Sequence, residues 1–278
     1  MKICLLGAGV MGKGIAQVFS AAGHEVALFA SSEESAKKHI ASLAASLNKL
    51  VAKGKMTEET AEGILGRIHP GTDADAKDAD MLIEASPENM ESKKALLAKY
   101  DAICKPDCIF ATNTSSISIT ELSIGISRPM VGMHFFNPVP VMKLVEVIEG
   151  LTTPPELTEK IYKLAEELGK TPVIVKDSPG FVVNRLLIPM INEAIYVLSE
   201  GIAKAEDIDT AMKLGCSHVI GPLALADLIG NDVVLAIMNV LYSETCDSKY
   251  RPCPLLKQMV RAGKLGRKSG EGFYSYNK

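Results

Sequence analysis

The chain opens on Lys2-Ile3-Cys4-Leu5-Leu6-Gly7-Ala8-Gly9-Val10-Met11-Gly12, an apolar run followed by three glycines at the spacing G-x-G-x-x-G. The apolar run predicts a buried strand, and the segment after it has a helix-like pattern. At such a junction the first glycine permits a tight turn, the second lets phosphates approach the backbone, and the third lets the helix pack on the strand. Because N–H groups at a helix start favour anions, the motif predicts a dinucleotide site on Gly7, Ala8, Gly9, Val10, Met11 and Gly12.

Short apolar runs alternate with longer helix-like segments through the first two thirds of the chain. Seven strands are predicted, at residues 2–6, 26–30, 81–85, 109–112, 131–135, 144–148 and 172–175. Five helices are predicted between them, at residues 11–22, 33–53, 57–65, 90–103 and 156–168. Strands that alternate with helices predict a largely parallel sheet covered on both faces, so the expected fold class is an α/β, Rossmann-type domain.

The pattern changes after the turn cluster Lys176-Asp177-Ser178-Pro179-Gly180. Beyond it, helix-like segments separated by Gly or Pro are predicted at residues 181–200, 205–214, 222–229, 232–243 and 254–262. We therefore predict two domains: a dinucleotide-binding domain at residues 1–180, and an all-α domain at residues 181–278 for substrate binding and dimerisation.

Composition excludes several classes of protein. The 278 residues carry 30 basic and 33 acidic side chains, so there is no excess of positive charge for nucleic-acid binding. The chain has no run of about 18 uninterrupted apolar residues, so no membrane span is predicted. The six cysteines are dispersed, and the one close pair, Cys104 and Cys108, lacks a second pair at zinc-site distance. A cytoplasmic protein with reduced thiols and no metal is predicted.

The end of the second predicted strand lacks a side chain that usually accompanies the glycine motif. An acidic residue about 20 positions on commonly holds the adenosine ribose, but here the chain reads Phe29-Ala30-Ser31-Ser32. In one interpretation Ala30 relieves repulsion of a 2′-phosphate, Ser31 and Ser32 donate to it, and Lys37 or Lys38 is the cation, which would favour NADP. Alternatively, NAD binds through the backbone and the serines, and the sequence leaves the two cofactors as equal alternatives.

One of the five histidines stands where an α/β sheet binds its ligands. His134 lies near the end of the strand predicted at residues 131–135, and ligands bind at the carboxyl ends of such strands. Twelve residues on, Glu146 interrupts the apolar strand predicted at residues 144–148, and a buried carboxylate needs a partner such as an imidazole. Spacing alone leaves two interpretations open, a structural pair and a catalytic one.

Five blocks of sequence carry a more specific signal. They are residues 7–17, Asn113-Thr114-Ser115-Ser116, Gly132-Met133-His134-Phe135-Phe136-Asn137-Pro138, residues 179–185 and Gly270-Glu271-Gly272-Phe273-Tyr274. Together they resemble the L-3-hydroxyacyl-CoA dehydrogenases, in particular the stand-alone bacterial 3-hydroxybutyryl-CoA dehydrogenases. The resemblance covers the whole chain, and its histidine and asparagine blocks are far more specific than the glycine motif.

The resemblance implies a reversible NAD(P)-dependent oxidation of a short-chain (S)-3-hydroxyacyl-CoA, chiefly 3-hydroxybutyryl-CoA to acetoacetyl-CoA, in butyrate or fatty-acid metabolism. His134 would take the proton from the 3-hydroxyl as hydride leaves C3, and Glu146 would orient its ring. Ser115 and Asn184 would hydrogen-bond the substrate oxygens. Because Asn184 begins the second domain, the site is expected at the domain junction.

The resemblance also implies ligand contacts away from the reacting carbon. Its cofactor contacts fall on the glycine loop and on Glu88, Lys93, Ser115, Asn137 and Lys268, and its coenzyme A contacts on Ser46 and Lys53. Since Ser46 and Lys53 are about two helical turns apart, they share one helix face. A homodimer is implied as well.

The chain departs from the family pattern in three places. Ala30 replaces the acidic residue after the second strand. Ser86-Pro87 replaces small or branched apolar residues, and Pro87 removes a backbone donor beside the cofactor. Ala224 replaces a glutamate that we connect with contacts within or between subunits. None of the three touches the four predicted catalytic positions.

Two other functions stay open on the sequence. A β-hydroxyacid dehydrogenase would act on a free hydroxy acid with a catalytic lysine, for which Lys93 or Lys143 would have to serve. A non-catalytic dinucleotide-binding protein would explain the missing acid at Ala30. It would not explain why Ser115, His134, Glu146 and Asn184 are all present.

Overall fold

The chain folds into two compact units, Met1–Ser178 and Pro179–Lys278, in a computed structural model that describes residues 1–276. The predicted boundary lay two residues later, between residues 180 and 181. The last two residues of the predicted second domain, 277 and 278, lie outside the described residues. Each unit has its own cluster of buried apolar side chains.

An eight-stranded sheet forms the centre of the first unit. Its strands are β1 (Lys2–Leu6), β2 (Glu25–Phe29), β3 (Ile68–Pro70), β4 (Met81–Glu84), β5 (Ile109–Thr112), β6 (Met130–Phe135), β7 (Leu144–Glu149) and β8 (Thr171–Lys176). Their order across the sheet is β3-β2-β1-β4-β5-β6-β7-β8, and each neighbouring pair is parallel except β6 and β7. The predicted α/β, Rossmann-type fold is confirmed.

Seven helices accompany the sheet within residues 1–178, all of which the structure describes. They are α1 (Val10–Ala21), α2 (Glu33–Ala52), α3 (Glu58–Leu65), α4 (Asp73–Lys77), α5 (Met90–Asp101), α6 (Ile119–Leu122) and α7 (Pro155–Glu167). Side chains of Ser32, Thr57 and Asn89 accept hydrogen bonds from backbone N–H groups at the starts of α2, α3 and α5, as N-cap residues do. The sequence prediction missed β3, which has no apolar run, and α4 and α6, because helices of four or five residues are too short to show a helical period.

The parallel arrangement brings the functional blocks of the sequence to one edge of the sheet. Strands β4, β5 and β6 are buried throughout, as expected for parallel strands covered on both faces. Because β1, β4, β5 and β6 are adjacent and parallel, their carboxyl ends share this edge. The glycine loop, the asparagine block and His134 all lie there.

The described part of the second unit, residues 179–276, is helical. Its helices are α8 (Val183–Ser199), α9 (Ala205–Gly215), α10 (Pro222–Ile229), α11 (Asn231–Thr245) and α12 (Pro254–Arg261). They pack around a core that includes Ile195, Leu223, Met238 and Leu256. The predicted all-α second domain is confirmed.

The C-terminal glycine block is bound to a buried aspartate of α10. Asp227 accepts hydrogen bonds from the backbone N–H groups of Phe273 and Tyr274, both at 2.9 Å. A Cβ at Gly272 would lie 1.9 Å from Asp227 Oδ1. The tail can therefore reach this carboxylate only with glycine at position 272.

Within residues 1–276, no single helix is long and apolar enough to cross a membrane. Helices α10 and α11 together reach that length and hydropathy, but they are bent by 97° at the break between them. In the same range, no group of three or more His, Cys, Asp or Glu side chains is arranged to hold a metal ion. All six cysteines are free thiols.

Candidate active site

The glycine loop joins β1 to α1. Gly7 and Gly12 allow close backbone packing, and Gly9 leaves space for a ligand. Gly7 has φ +116°, and a Cβ there would lie 2.4 Å from the Ala85 carbonyl oxygen. A Cβ at Gly12 would lie 1.8 Å from the Gly7 carbonyl oxygen. Gly9, the N-cap of α1, has no atom within 4 Å of its Cβ position. The loop thus leaves open space before the start of α1, where a pyrophosphate can approach the N–H groups.

A cavity of about 510 Å³ lies in front of this loop, with walls from the first unit. It is lined by Leu6, Gly7, Ala8, Gly9, Val10, Met11, Phe29, Ala30, Ser31, Ser35, His39, Ala85, Ser86, Pro87, Leu96 and Tyr100. Apolar and aromatic walls suit a base, and a helix start suits phosphates. These residues fit the adenosine and pyrophosphate part of a nicotinamide dinucleotide.

The cations that an NADP site would use are already paired at the start of α2. Lys37 Nζ lies 2.6 Å from Glu33 Oε1, and Lys38 Nζ lies 2.7 Å from Glu34 Oε1. All four side chains are exposed, so each pair contributes little to stability. Two carboxylates and two ammonium groups leave the start of α2 without a surplus of positive charge.

Strands β6 and β7 place His134 and Glu146 directly opposite each other in the sheet. His134 Nδ1 donates to Glu146 Oε2 at 2.7 Å, and the two side chains are 7% and 1% exposed. The Phe136 ring lies against the imidazole, with 4.4 Å between the ring centroids. Because Nδ1 donates to the carboxylate, Nε2 is the ring nitrogen that can exchange a proton with a ligand.

The loop after β5 carries Ser115 and is tied to the elements on both sides of it. Asn113 Oδ1 accepts from the backbone N–H of Phe135 at 2.8 Å, one residue from His134. Glu88 Oε1 accepts from the N–H of Ser115 at 2.8 Å and from its Oγ at 3.2 Å. The predicted catalytic residues Ser115 and His134 therefore lie on neighbouring, mutually bonded segments of one sheet edge.

Glu88 is held as an anion in the folded protein. Burial by itself raises the pKa of the Glu88 carboxyl, but the charge of Lys93 and hydrogen bonds from Thr114, Ser115 and Ser116 outweigh burial. The pKa of Glu88 therefore lies below its ordinary value. A charged carboxylate can accept all of these hydrogen bonds at once, and so it holds the Ser115 loop.

Other predicted ligand contacts in the first unit lie at exposed positions. Asn137 is exposed in the loop after β6. Ser46 on α2 and Lys53 at its C-cap are also exposed, and Ser46 Oγ donates to the Ser42 carbonyl oxygen at 3.0 Å. These side chains stand on the surface of the first unit, accessible to a ligand.

The remaining predicted residues belong to the second unit. Asn184 is buried in the first turn of α8. Lys268 is exposed, and its Nζ donates to Asp232 Oδ2 at 2.7 Å. Ala224, one of the departures from the family pattern, is in α10, where its N–H donates to Asp209 Oδ2 at 2.9 Å. That contact lies within one subunit.

Sequence reasoning missed Glu84 as a residue of this edge. Glu84 ends β4 and is completely buried, and both of its oxygens lie 2.8 Å from Lys93 Nζ. The available signal was the same one that identified Glu146, a carboxylate in an otherwise apolar strand, Met81-Leu82-Ile83-Glu84. Such a carboxylate predicts a buried partner.

Comparison with known proteins identifies the family. Residues 2–178 match the family model described as 3-hydroxyacyl-CoA dehydrogenase, NAD binding domain, and residues 180–276 match the C-terminal domain of the same family. The chain is 53% identical to 3-hydroxybutyryl-CoA dehydrogenase of Clostridioides difficile over 100% of both chains. It is 52% identical to a probable 3-hydroxybutyryl-CoA dehydrogenase of Bacillus subtilis over 99% of this chain and 97% of the relative.

A solved structure gives the same result. The (S)-3-hydroxybutyryl-CoA dehydrogenase of Ralstonia eutropha matches with a TM-score of 0.95 and 50% identity over 99% of each chain. The match spans both the sheet unit and the helical unit of the fold described above. The resemblance that the sequence blocks indicated is thus confirmed over the full length, and the chain belongs to the 3-hydroxyacyl-CoA dehydrogenase family.

Proposed function

We propose that this protein reversibly oxidises short-chain (S)-3-hydroxyacyl-CoA to 3-oxoacyl-CoA, with 3-hydroxybutyryl-CoA and acetoacetyl-CoA as its main pair. The observation that carries the proposal is the buried His134–Glu146 pair at the sheet edge that also holds the glycine loop. The full-length relatives named 3-hydroxybutyryl-CoA dehydrogenase support the choice of substrate.

In this proposal His134 exchanges a proton with the 3-oxygen of the substrate through Nε2. A bound nicotinamide supplies the acceptor for the hydride that leaves C3, or its donor in the reverse direction. As the O–H and C3–H bonds break, C3=O forms and the imidazole becomes positively charged. Glu146, which accepts from Nδ1 at 2.7 Å, stabilises that charge and keeps the ring oriented.

Ser115 and Asn184 are proposed to hydrogen-bond the substrate oxygens. Support for Ser115 comes from its loop, which is bonded to β6 beside His134 through Asn113. Support for Asn184 comes from the family pattern at residues 179–185. Fixing the reactive carbon in this way contributes to catalysis by orientation.

We propose NAD(H) rather than NADP(H) as the cofactor. The family model of the first unit is described as NAD binding, and Lys37 and Lys38 are paired with Glu33 and Glu34. With each lysine paired, the start of α2 offers no surplus of positive charge to attract a 2′-phosphate. The proposed contacts are the glycine loop, Ala30, Ser31, Glu88, Lys93, Ser115, Asn137 and Lys268.

Coenzyme A is proposed to bind at Ser46 and Lys53. Both side chains are exposed on the same side of α2, one as a hydroxyl and one as an ammonium group. With a formal net charge of −3, the protein has no general attraction for a phosphate-rich ligand. Local groups of this kind must therefore supply the recognition. The homodimer stays a prediction of the family resemblance.

The environment of the two candidate lysines disfavours a free hydroxy acid as substrate. Lys93 is 1% exposed and bound to Glu84, so it is poorly placed to meet a substrate. Lys143 is exposed, and its Nζ donates to the Gly169 carbonyl oxygen at 3.4 Å.

Steady-state assays with purified protein test the proposal. We expect acetoacetyl-CoA to oxidise NADH, with kcat/KM for NADPH lower by about tenfold or more. Free acetoacetate should give negligible turnover under the same conditions. Comparable turnover of free acetoacetate would favour the hydroxy-acid alternative, and no turnover with either cofactor would favour a non-catalytic dinucleotide-binding protein.

A further inference from the structure

The loop after β6 carries Asn137 and lies at the ligand edge of the sheet. Residues 137–142 are called the Asn137 loop below. The backbone N–H groups of Val141 and Met142 both donate to the Pro138 carbonyl oxygen at 2.9 Å, which folds the loop into a compact turn. Asn137 itself is exposed, so the position of its side chain depends on how this turn is held.

Helix α1, which begins at the glycine loop, packs directly on the Asn137 loop. Val139 is 2% exposed, and a Cβ at Gly14 of α1 would lie 2.8 Å from the Cβ of Val139. That distance is well inside the separation of about 3.5 Å at which carbon atoms pack. Glycine at position 14 therefore lets the loop rest on the same helix whose start faces the dinucleotide cavity.

Lys170 bonds the backbone of the Asn137 loop from the start of β8. Strand β7 is antiparallel to β6 and parallel to β8, so the residue that precedes β8 lies at the ligand edge. Lys170 is 8% exposed, and its Nζ donates to the carbonyl oxygens of Val139 and Met142, the latter at 2.9 Å. One ammonium group thus joins two points of the turn.

The Lys170 ammonium group is buried without a counter-charge. Among the residues that the structure describes, no carboxylate pairs with it, and its two partners are neutral carbonyl groups. Burial lowers the pKa of Lys170, and the positive charge of Lys143 lowers it further. A buried charge without a counter-charge is unfavourable, but its three N–H donors can bond both carbonyl groups at once. Lys170 therefore contributes geometry more than stability.

We propose that Lys170 is a positioning residue, which fixes the Asn137 loop against α1 and so places Asn137 at the cofactor. The inference rests on the proposed function, in which Asn137 contacts the cofactor. Lys170 acts only through the backbone that it bonds. A shift of the loop by about 1 Å would break a hydrogen bond from Asn137, because a donor–acceptor distance of about 3 Å would lengthen to about 4 Å.

A double-mutant cycle tests whether Lys170 acts through Asn137. The Kd for NADH and the melting temperature are measured for the unaltered protein, Lys170→Met, Asn137→Ala and the double variant. We expect each single variant to raise the Kd about three- to tenfold, as for one lost hydrogen bond. The Kd of the double variant should lie within about twofold of that of Asn137→Ala, because no Asn137 contact is left to lose.

Lys176→Met is the matched control, because Lys176 stands at the other end of β8 and is exposed. It should leave the Kd for NADH unchanged. Lys170→Gln keeps N–H donors and should raise the Kd less than Lys170→Met, which it replaces in the cycle if that variant does not fold. A Kd in the double variant that equals the product of the two single effects would overturn the inference, because the two residues would then act independently.

Hydrogen exchange by mass spectrometry separates failure of this inference from failure of the proposed function. Lys170→Met should speed amide exchange in residues 137–142 whatever the loop binds, and unchanged exchange would overturn the inference. If Asn137→Ala raises the Kd and Lys170→Met does not, the inference alone fails. If neither variant raises it, the proposed Asn137 contact fails and the inference fails with it. Absence of turnover in the unaltered protein would contradict the proposed function alone.

Discussion

Two buried carboxylates of the same sheet, Glu146 and Glu84, have different partners. Glu146 in β7 pairs with His134 on the neighbouring strand β6, and Glu84 in β4 pairs with Lys93 of α5. Both carboxylates are almost completely buried, at 1% and 0% exposure. The two pairs therefore share a solvent environment and differ in the basic group that faces the carboxylate.

The difference between the two basic groups shows how a buried pair with a carboxylate can serve either proton exchange or a fixed contact. An imidazole gains and loses its proton near neutral pH, whereas an ammonium group keeps its proton there. A carboxylate beside the imidazole thus supports proton exchange, and a carboxylate beside the ammonium group supports a fixed geometry. We conclude that the His134–Glu146 pair is suited to proton exchange and that the Lys93–Glu84 pair is suited to a fixed contact between α5 and the end of β4.

The largest expected effect is on turnover when His134 is replaced. We expect His134→Gln to lower kcat by about 10²- to 10⁴-fold, because the group that exchanges the substrate proton is removed. The Kd for NADH should stay close to that of the unaltered protein, since His134 is not part of the glycine loop. Steady-state kinetics and fluorescence titration measure the two quantities.

His69→Gln is the matched control for this variant. His69 also pairs with a carboxylate, since its Nε2 lies 3.1 Å from Asp75 Oδ1 of α4, but here the imidazole is exposed on β3. Its loss should leave kcat unchanged. Full turnover in His134→Gln would refute the chemical role of the buried pair and remove the contrast with Lys93–Glu84.

The second prediction compares the free energies of unfolding of Glu84→Gln and Glu146→Gln. Glu84→Gln removes the nearer counter-charge of the buried Lys93 ammonium group and leaves the more distant Glu88 Oε2 at 3.4 Å, so we expect a cost of about 3 kcal/mol. Glu146→Gln leaves an imidazole that can be neutral, so the loss is about 1 kcal/mol, that of a weakened hydrogen bond. Urea denaturation of both variants measures the difference. A larger loss of stability in Glu146→Gln than in Glu84→Gln would contradict the comparison, because Glu84 would then contribute less to stability than Glu146.

The smallest expected effect concerns Glu88, which contacts Lys93 and accepts a hydrogen bond from Ser115. Its pKa is lowered in the folded protein, so its stabilising contribution is fully present above the ordinary carboxyl pKa of 4.5 and is lost as the pH falls through the lower folded value. The difference in free energy of unfolding between the unaltered protein and Glu88→Gln should therefore be constant at neutral pH. It should shrink as the pH falls below about 4.5.

Urea denaturation at a series of pH values measures this difference. The side chain is 34% exposed, so solvent screening keeps the effect small. Lys94→Met is the control, because Lys94 pairs with Glu121, which is not among the groups that contact Glu88. A difference that stayed constant or grew on acidification would show that Glu88 is not held as an anion by Lys93.

Much of the fold and part of the site could be predicted from local patterns. The seven longer strands and the G-x-G-x-x-G loop were found because apolar runs and glycine spacing are properties of adjacent residues. His134 and Glu146 were singled out as polar residues in apolar strands. Strand β3 was not predicted because Ile68-His69-Pro70 has no apolar run. The pairing of Lys93 with Glu84 was not predicted, because the two residues are nine positions apart and the start of α5 lies between them.

The sequence by itself determined the α/β class, the glycine loop and the family, since each depends on residues that are near one another in the chain. Only the tertiary structure decided that His134 faces Glu146 in register and that Lys93 is enclosed by Glu84, Ser86 and Glu88. The physical reason is that strand order and register set these contacts. They depend on how the whole sheet buries its apolar residues, and no local pattern encodes that.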